Sequence, residues 1–132
     1  MAQLFVNLPV KDLDASVEFF TKLGFSFNLQ FTDKNGTCMI VGSDAFVMLL
    51  SETFFKTFTN KELVAAETTT ETIIAISADS KQAVDTMVTA ALDAGGFAYN
   101  EASDQGFMYS WSFQDLDHHL WEVVYMDENA VA

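Results

Sequence analysis

The sequence predicts an α+β fold of two pseudo-symmetric β-α-β-β-β modules, with sheets that curl around a cleft. A strand, an amphipathic helix and a glycine follow one another from Phe5 to Gly24, and the same order recurs from Thr72 to Gly96. Short alternating segments follow each glycine, and such segments are typical of strands in an antiparallel sheet. The two halves of the chain therefore look like copies of one unit.

The length of the chain, 132 residues, fits one domain that can bury an ordinary core. We expect a single domain over residues 1–132, with a first module at about 1–51, a connection at 52–70 and a second module at 71–127.

Each predicted helix has an acidic N-cap and one apolar face. Asp12 and Asp79 stand where a carboxylate can accept hydrogen bonds from the first free N–H groups of a helix. Aligning the two apolar faces equates Val17 with Val84 and Phe20 with Met87. The apolar residues at helical spacing are Leu13, Val17 and Phe20 in the first helix, and Val84, Met87, Val88, Ala91 and Leu92 in the second.

Strands and turns alternate after the first helix. We predict strands at 25–32, 37–41 and 46–51, with turn residues at 33–36. In the connection, Asn60 is a plausible N-cap for a short helix that ends at Ala66. A nearby phenylalanine cluster is expected to pack on the sheet, or else to form a lid over the cleft; its members are Phe54, Phe55 and Phe58.

In the second half, residues 99–102 are a weak strand candidate, and Leu120–Met126 is predicted as the final strand after a turn at 115–119. The segment 107–113 alternates strictly, so one of its faces is aromatic. That face could be core beneath a helix or the wall of a pocket. Its residues are Phe107, Tyr109, Trp111 and Phe113.

The charge balance is strongly acidic. Nineteen acidic residues face six lysines and no arginine, which gives a formal net charge of −13. Nucleic acid is a poor partner for such a chain, because phosphate binding needs a basic surface. The acidic surface could keep the protein in solution or attract a cationic ligand.

No apolar run approaches the ~18 residues that a membrane span needs, so no membrane partner is expected. The one cysteine, Cys38, permits no disulfide within the chain. We expect a cytoplasmic protein on these grounds.

Two motifs resemble those of the vicinal oxygen chelate superfamily, which includes glyoxalase I, extradiol dioxygenases and bleomycin-resistance proteins. One is Leu8-Pro-Val-Lys-Asp-Leu-Asp-Ala-Ser-Val-Glu-Phe-Phe, and the other is Phe113-Gln-Asp-Leu-Asp-His-His-Leu-Trp-Glu-Val. The second is similar to the superfamily's Asp-Pro-Asp-Gly-His-x-Trp-Glu segment, with Leu116 in place of Pro and His118 in place of Gly. The resemblance covers nearly the whole chain and implies a small-molecule pocket and a homodimer.

The resemblance also implies where a metal would bind. Metalloenzymes of the superfamily hold a divalent ion through His or Glu side chains on equivalent strands of both modules. These positions correspond to Phe5, Met48, Ile73 and Glu122, and only the last carries a hard-metal ligand. We therefore favour no cofactor, with a divalent metal at Glu122 as the alternative.

Glu122 is the candidate catalytic or ligand-binding residue. Alternation places it opposite Trp121 and Val123, where a partly buried carboxylate could act as a general base or hold a cationic group. It could also be a carboxylate retained from a metal-binding ancestor. The residues expected to line a pocket are Phe5, Asn7, Met48, Ile73, Tyr109, Trp111 and Glu122.

Other polar residues are expected to be structural. His118 and His119 are adjacent, so an extended chain points them to opposite faces. Of the two Asp-Leu-Asp sequences, one begins a helix and the other lies in a turn, and their residues are Asp12, Asp14, Asp115 and Asp117.

Three functional hypotheses remain open. The favoured one is a metal-independent small-molecule-binding protein that resembles bleomycin-resistance and glyoxalase-like proteins, with a cationic or aromatic ligand. The alternative is a metal-dependent lyase or dioxygenase of the glyoxalase type, with a displaced metal site anchored by Glu122. The third is metal-free proton transfer by Glu122.

Overall fold

A computed structural model describes residues 2–127 and 129 of the chain, which divides after Val64 into two compact units. The first unit is a four-stranded sheet with strand order β1-β4-β3-β2, in which β1 and β4 are parallel and the other neighbours antiparallel. Its elements are β1 (Leu4–Val10), α1 (Leu13–Lys22), β2 (Ser26–Asp33), β3 (Gly36–Ile40), β4 (Ala45–Ser51), α2 (Glu52–Phe55) and a 3₁₀ turn (Lys56–Phe58).

The second unit repeats this order. Its first strand is parallel to its last, and the last is antiparallel to the strand before it. The outer side of this sheet is shared by two short strands, β6 and β7, which pair with opposite ends of β8. The elements are β5 (Ile73–Ser77), α3 (Lys81–Asp93), β6 (Phe97–Ala98), β7 (Ser103–Asp104), β8 (Met108–Gln114) and β9 (Leu120–Met126). The predicted duplication and the α+β class are confirmed, and the cleft stays a prediction.

The N-cap of α3 differs from the prediction. The Ser80 hydroxyl, and not Asp79, accepts the hydrogen bond from the backbone N–H of Ala83, at 3.0 Å. In α1 the predicted cap is confirmed, because Asp12 accepts from the N–H of Ala15. The second helix therefore begins one residue later than its sequence suggests.

This shift changes how the two helices correspond. Ser80 follows Ile73 by the same seven positions by which Asp12 follows Phe5. The predicted match of Val17 with Val84 and of Phe20 with Met87 is therefore wrong by one residue. The matching positions are all buried, and they are Ser16 with Val84, Phe20 with Val88, and Leu23 with Ala91.

One face of the second sheet packs against α3 and forms the core of its unit. Phe113 and Trp121 are fully buried there, with their rings parallel and 6.2 Å apart. At the edge of this face the Tyr109 hydroxyl donates a hydrogen bond to Asp85 of α3, at 2.5 Å. In the first sheet the equivalent face is also buried, and its residues include Leu8, Met39, Val47 and Leu49.

The short helix lies earlier in the connection than predicted. Ser51 caps α2 by accepting from the N–H of Phe54, whose ring then meets Phe58 edge to face at 5.2 Å. The predicted helix from Asn60 to Ala66 is not formed. The Ser51 cap and the contact between the two phenylalanine rings start the helix directly after β4. Near Asn60 the chain forms a bend, in which the Thr59 hydroxyl accepts a hydrogen bond from the N–H of Lys61.

Residues 99–102 are also not a strand. They form the loop between β6 and β7, and a turn in which Gly106 has a φ of 83° then leads into β8. Leu120–Met126 is confirmed as the final strand.

The edge strand β2 leaves its ladder between Asn28 and Asp33, where the pairing register with β3 shifts. Leu29 and Phe31 lie in this bulge with 81% and 63% of their surface exposed.

Within the described part of the chain, no helix has both the length and the apolar character that crossing a membrane requires.

Candidate functional site

The face of the second sheet opposite α3, here called the distal face, carries Glu122. Glu122 of β9 lies between Ala75 of β5 and Ser112 of β8 in the pairing register. Side chains in register on neighbouring strands share a face. Glu122 and Ser112 are therefore neighbours, and Ile73 lies on the same face one pleat away.

Asn100 closes a gap beside this pair. No residue of β6 or β7 pairs with Trp111 or Ser112, because β6 ends at Ala98 and β7 begins at Ser103. The side-chain oxygen of Asn100 accepts a short hydrogen bond from the Ser112 hydroxyl, and its backbone carbonyl accepts one from the Trp111 indole N–H at 3.0 Å. Asn100 thus holds the Ser112 hydroxyl in a fixed orientation beside Glu122.

The Glu122 side chain is half-buried, and it has no hydrogen-bond or ion-pair partner among residues 2–127 and 129, so its carboxylate oxygens are accessible to solvent. The Ser112 proton is already donated to Asn100, so Ser112 does not satisfy the carboxylate. A carboxylate in this setting can accept hydrogen bonds from a ligand, and it attracts a positive charge most strongly.

A second polar group lies further along the distal face. Gln114 is two residues from Ser112 on β8 and pairs with Phe97 of β6. The side-chain N–H of Gln114 donates to the carbonyl of Ala98 at 3.2 Å, and its oxygen lies 3.3 Å from Nδ1 of His118. The His118 ring stacks on Phe97 at 4.2 Å, which brings this histidine to the edge of the same face.

The corresponding face of the first sheet is mostly apolar. Its equivalent row runs Asn7, Met48, Cys38 and Asn28 across four strands. Met48 occupies the position that Glu122 holds in the second unit. Phe5 stacks on Phe46 at 5.0 Å and keeps 48% of its surface exposed. Cys38 is buried, and burial raises the pKa of its thiol.

Tyr109 and Trp111 are not on the distal face. Trp111 pairs with Val123, and the Tyr109 hydroxyl bonds to α3, so both lie on the helix face. Because Glu122 alternates with Val123, the prediction that these two rings line the same surface as Glu122 is corrected. Of the two interpretations of the aromatic face, packing beneath a helix is the one that the structure shows.

The turn between β8 and β9 is organised by Asp115. One carboxylate oxygen accepts from the N–H groups of Asp117 and His119, at 2.9 and 3.0 Å, and the other from the Trp121 indole at 2.9 Å. Burial raises the pKa of Asp115, while His119 and the three hydrogen bonds act in the opposite direction. Ligand atoms of Asp115, Asp117 and His119 lie within 4.8 Å of one another, but the bonds of Asp115 give it a structural role.

The residues at the superfamily's metal positions do not fit a divalent metal. Phe5, Met48 and Ile73 offer neither nitrogen nor a carboxylate oxygen, so Glu122 alone could coordinate a hard ion. Within one unit, no other acidic or histidine side chain pairs with Glu122 in the strand register.

Three residues of this site were not identified from the sequence, namely Asn100, Ser112 and Gln114, and a fourth, His118, was expected to be structural. The turn at 115–119 is a signal for two of them, since a hairpin closed there pairs Gln114 with Leu120 and Ser112 with Glu122. No local pattern signals Asn100, because its position follows from the loop that interrupts the outer edge of the sheet.

Comparison with known proteins agrees with this fold. The family model described as "Bleomycin resistance protein-like N-terminal" matches residues 3–42. No curated protein sequence matches the chain.

Several solved structures are similar over nearly their whole length. A hypothetical protein from S. aureus, SA1046, is 25% identical, with 95% of this chain and 94% of that one covered and a TM-score of 0.81. A glyoxalase/bleomycin resistance protein/dioxygenase family enzyme from Burkholderia phytofirmans PsJN is 14% identical, with coverage of 96% and 99% and a TM-score of 0.78. TioX from Micromonospora sp. ML1 is 20% identical, with coverage of 94% and 95% and a TM-score of 0.64.

The chain therefore has the fold of the glyoxalase/bleomycin-resistance/dioxygenase proteins. The family-model match over residues 3–42 and the shared fold agree with the resemblance that the sequence motifs carry.

Proposed function

We propose that the protein binds a small cationic molecule on the distal face of its second sheet, without a metal, and that Glu122 holds the positive group. The observation that carries this proposal is the half-buried Glu122 side chain, whose solvent-accessible carboxylate has no partner within the described residues. A solvent-accessible carboxylate without a protein partner is free to pair with the positive group of a ligand, and a hydrogen bond between two charged groups is stronger than one between neutral groups.

The surroundings of Glu122 support the same proposal. Ser112 is fixed by Asn100 and presents oxygen lone pairs, while Leu120 and Val124 give the neighbouring positions of β9 an apolar character. A net charge of −13 adds a long-range attraction for cations. The family model's reference to bleomycin resistance agrees with a binding protein. The homodimer, the cytoplasmic location and the role of Phe5, Asn7, Met48 and Ile73 in a pocket stay predictions.

The proposal is tested with benzamidine as the probe and benzamide as its uncharged control. An amidinium group can donate two parallel hydrogen bonds to a carboxylate, whereas benzamide carries no positive charge. We expect benzamidine to bind the wild-type protein, by calorimetry, at least tenfold more tightly than benzamide.

The variant Glu122→Gln keeps the size of the side chain and removes its charge. We expect it to weaken benzamidine binding by roughly 10- to 100-fold, in line with a hydrogen bond to a charged group. The matched control is Glu71→Gln, which removes an exposed carboxylate just before β5 and should leave binding within about twofold. Equal binding by both variants would show that Glu122 does not hold the cation.

A further inference from the structure

His118 holds an unusual backbone conformation. Its φ is 66°, and it is the one non-glycine residue with a positive φ in the described part of the chain. A side chain in this left-handed region is strained, and glycine is the residue that adopts it freely. Strain of this kind tends to persist where the side chain has a use.

The ring of His118 is fixed in a single orientation by two contacts. It stacks on Phe97 at 4.2 Å with 17° between the planes, and its Nδ1 lies 3.3 Å from Oε1 of Gln114. The amide of Gln114 is itself oriented, because its N–H group donates to the carbonyl of Ala98. The oxygen of Gln114 is therefore the atom that faces His118.

This arrangement determines the tautomer of the ring. An amide oxygen can only accept, so Nδ1 of His118 must carry the hydrogen. In the neutral ring, Nε2 is then left with a free lone pair. No described residue forms a hydrogen bond to Nε2. His118 thus presents an unsatisfied acceptor whose direction is fixed by Gln114 and Phe97.

Gln114, which orients His118, lies one pleat along the distal face from Ser112 of the proposed cation site. Gln114 and Ser112 are on the same face of β8, two positions apart. Their Cα atoms are therefore roughly 7 Å from each other along the strand. Ser112 is the neighbour of Glu122 across the strands. A small ligand held by Glu122 could therefore reach the edge of the face where His118 stands.

We propose that His118 is a specificity-determining residue, whose Nε2 accepts a hydrogen bond from a second donor group of the cationic ligand. This inference rests on the proposed function and narrows its ligand class to cations that carry an additional N–H or O–H group several ångströms from the charge. Gln114 acts as a positioning residue, since it sets the tautomer of His118.

The test compares 4-aminobenzamidine with 4-methylbenzamidine, which has nearly the same size but no second donor. We expect the wild-type protein to prefer the amino compound by about fivefold, as one additional hydrogen bond would give. In His118→Gly the preference should vanish, because the amino group of the ligand loses its acceptor. Glu122→Gln should weaken the binding of both compounds.

Two controls test whether the His118→Gly variant is folded: its melting temperature and a second variant, His118→Asn. His118→Gly removes the strained side chain, so its melting temperature should be close to that of the wild type. His118→Asn also tolerates the left-handed backbone and lacks the ring, and it should lose the same preference. A nitrogen-15 NMR spectrum of the ligand-free protein should show the His118 hydrogen on Nδ1.

The outcomes separate the two proposals. If Glu122 is needed for binding but the preference survives in both His118 variants, the inference about His118 is wrong and the proposed function stands. If neither compound binds the wild-type protein, both proposals fail. A hydrogen on Nε2 in the neutral ring would overturn the role of His118 without reference to any ligand.

Discussion

Gly36 lies where β3 passes too close to β4 for any side chain. A Cβ atom at this position would be 2.6 Å from Cδ2 of Leu50 and 2.9 Å from the carbonyl oxygen of Leu49. The second of these is backbone, which cannot move aside without disturbing the sheet.

We therefore expect Gly36→Ala to lower the free energy of unfolding by about 1–3 kcal/mol, as overpacking does in other cores. Urea unfolding measures this change. Gly42→Ala is the matched control, because a Cβ at Gly42 would meet nothing within 4 Å. Equal stability of the two variants would mean that β3 and β4 separate at little cost.

Asp115 combines burial with three hydrogen bonds, so its effect on stability should depend on pH. Burial raises its pKa in the folded protein, so the folded state binds the proton more tightly than the unfolded state, where the pKa is about 3.9. Stability from this group is then fully present below the unfolded pKa and is lost as the pH rises through the folded pKa.

The variant Asp115→Asn removes this titration. Its amide N–H group would also face one of the N–H donors that Asp115 now accepts from, which should lower the free energy of unfolding by about 1–3 kcal/mol. We expect the stability difference between wild type and variant to shrink as the pH rises from about 4, measured by urea unfolding at each pH. A difference that grows with pH would mean that the hydrogen bonds outweigh burial and lower the pKa.

At the scale of the element, α3 is joined to the edge of its sheet by Tyr109 and Asp85. The hydrogen bond to Asp85 is the largest cause that raises the pKa of Tyr109, and burial adds to it. Loss of the phenolic proton would break this bond and bring two negative charges together.

We expect Asp85→Asn to lower the pKa of one tyrosine towards its ordinary value, as followed by ultraviolet absorbance at high pH. Asp93→Asn, at the end of the same helix, is the control and should leave the titration unchanged. Identical titrations of the two variants would show that Tyr109 and Asp85 do not interact in solution.

The elements differ in how far the sequence predicts them. Strict alternation identifies β8, and the apolar run after the turn at 115–119 identifies β9. The helix after β4 was placed wrongly, since Ser51 and Asn60 are both good N-caps and only aromatic packing decides between them. The site shows the same limit. Glu122 follows from alternation, whereas Asn100 depends on a loop that local patterns do not describe.

At the scale of the whole molecule, the two units have kept one topology and diverged in chemistry. The equivalent central positions of their distal faces are Met48 in one sheet and Glu122 in the other. With this donor set we expect no stoichiometric metal in the purified protein.

Melting curves in EDTA and with added zinc, nickel, iron(II) or manganese should therefore coincide. A site filled at 100 times its dissociation constant would add ~2.7 kcal/mol and raise the melting temperature by several degrees. Stoichiometric metal together with such a shift would restore the hypothesis of a metal-dependent enzyme anchored by Glu122.

The irregular outer strands of both sheets also affect how the protein behaves at high concentration. In the first unit β2 departs from its ladder between Asn28 and Asp33, and in the second the edge consists of two strands of two residues each. Long, regular edges are templates on which another chain can add a strand, and bulges and short strands remove that template. The interruption that places Asn100 beside Ser112 therefore also protects this edge from aggregation by strand addition.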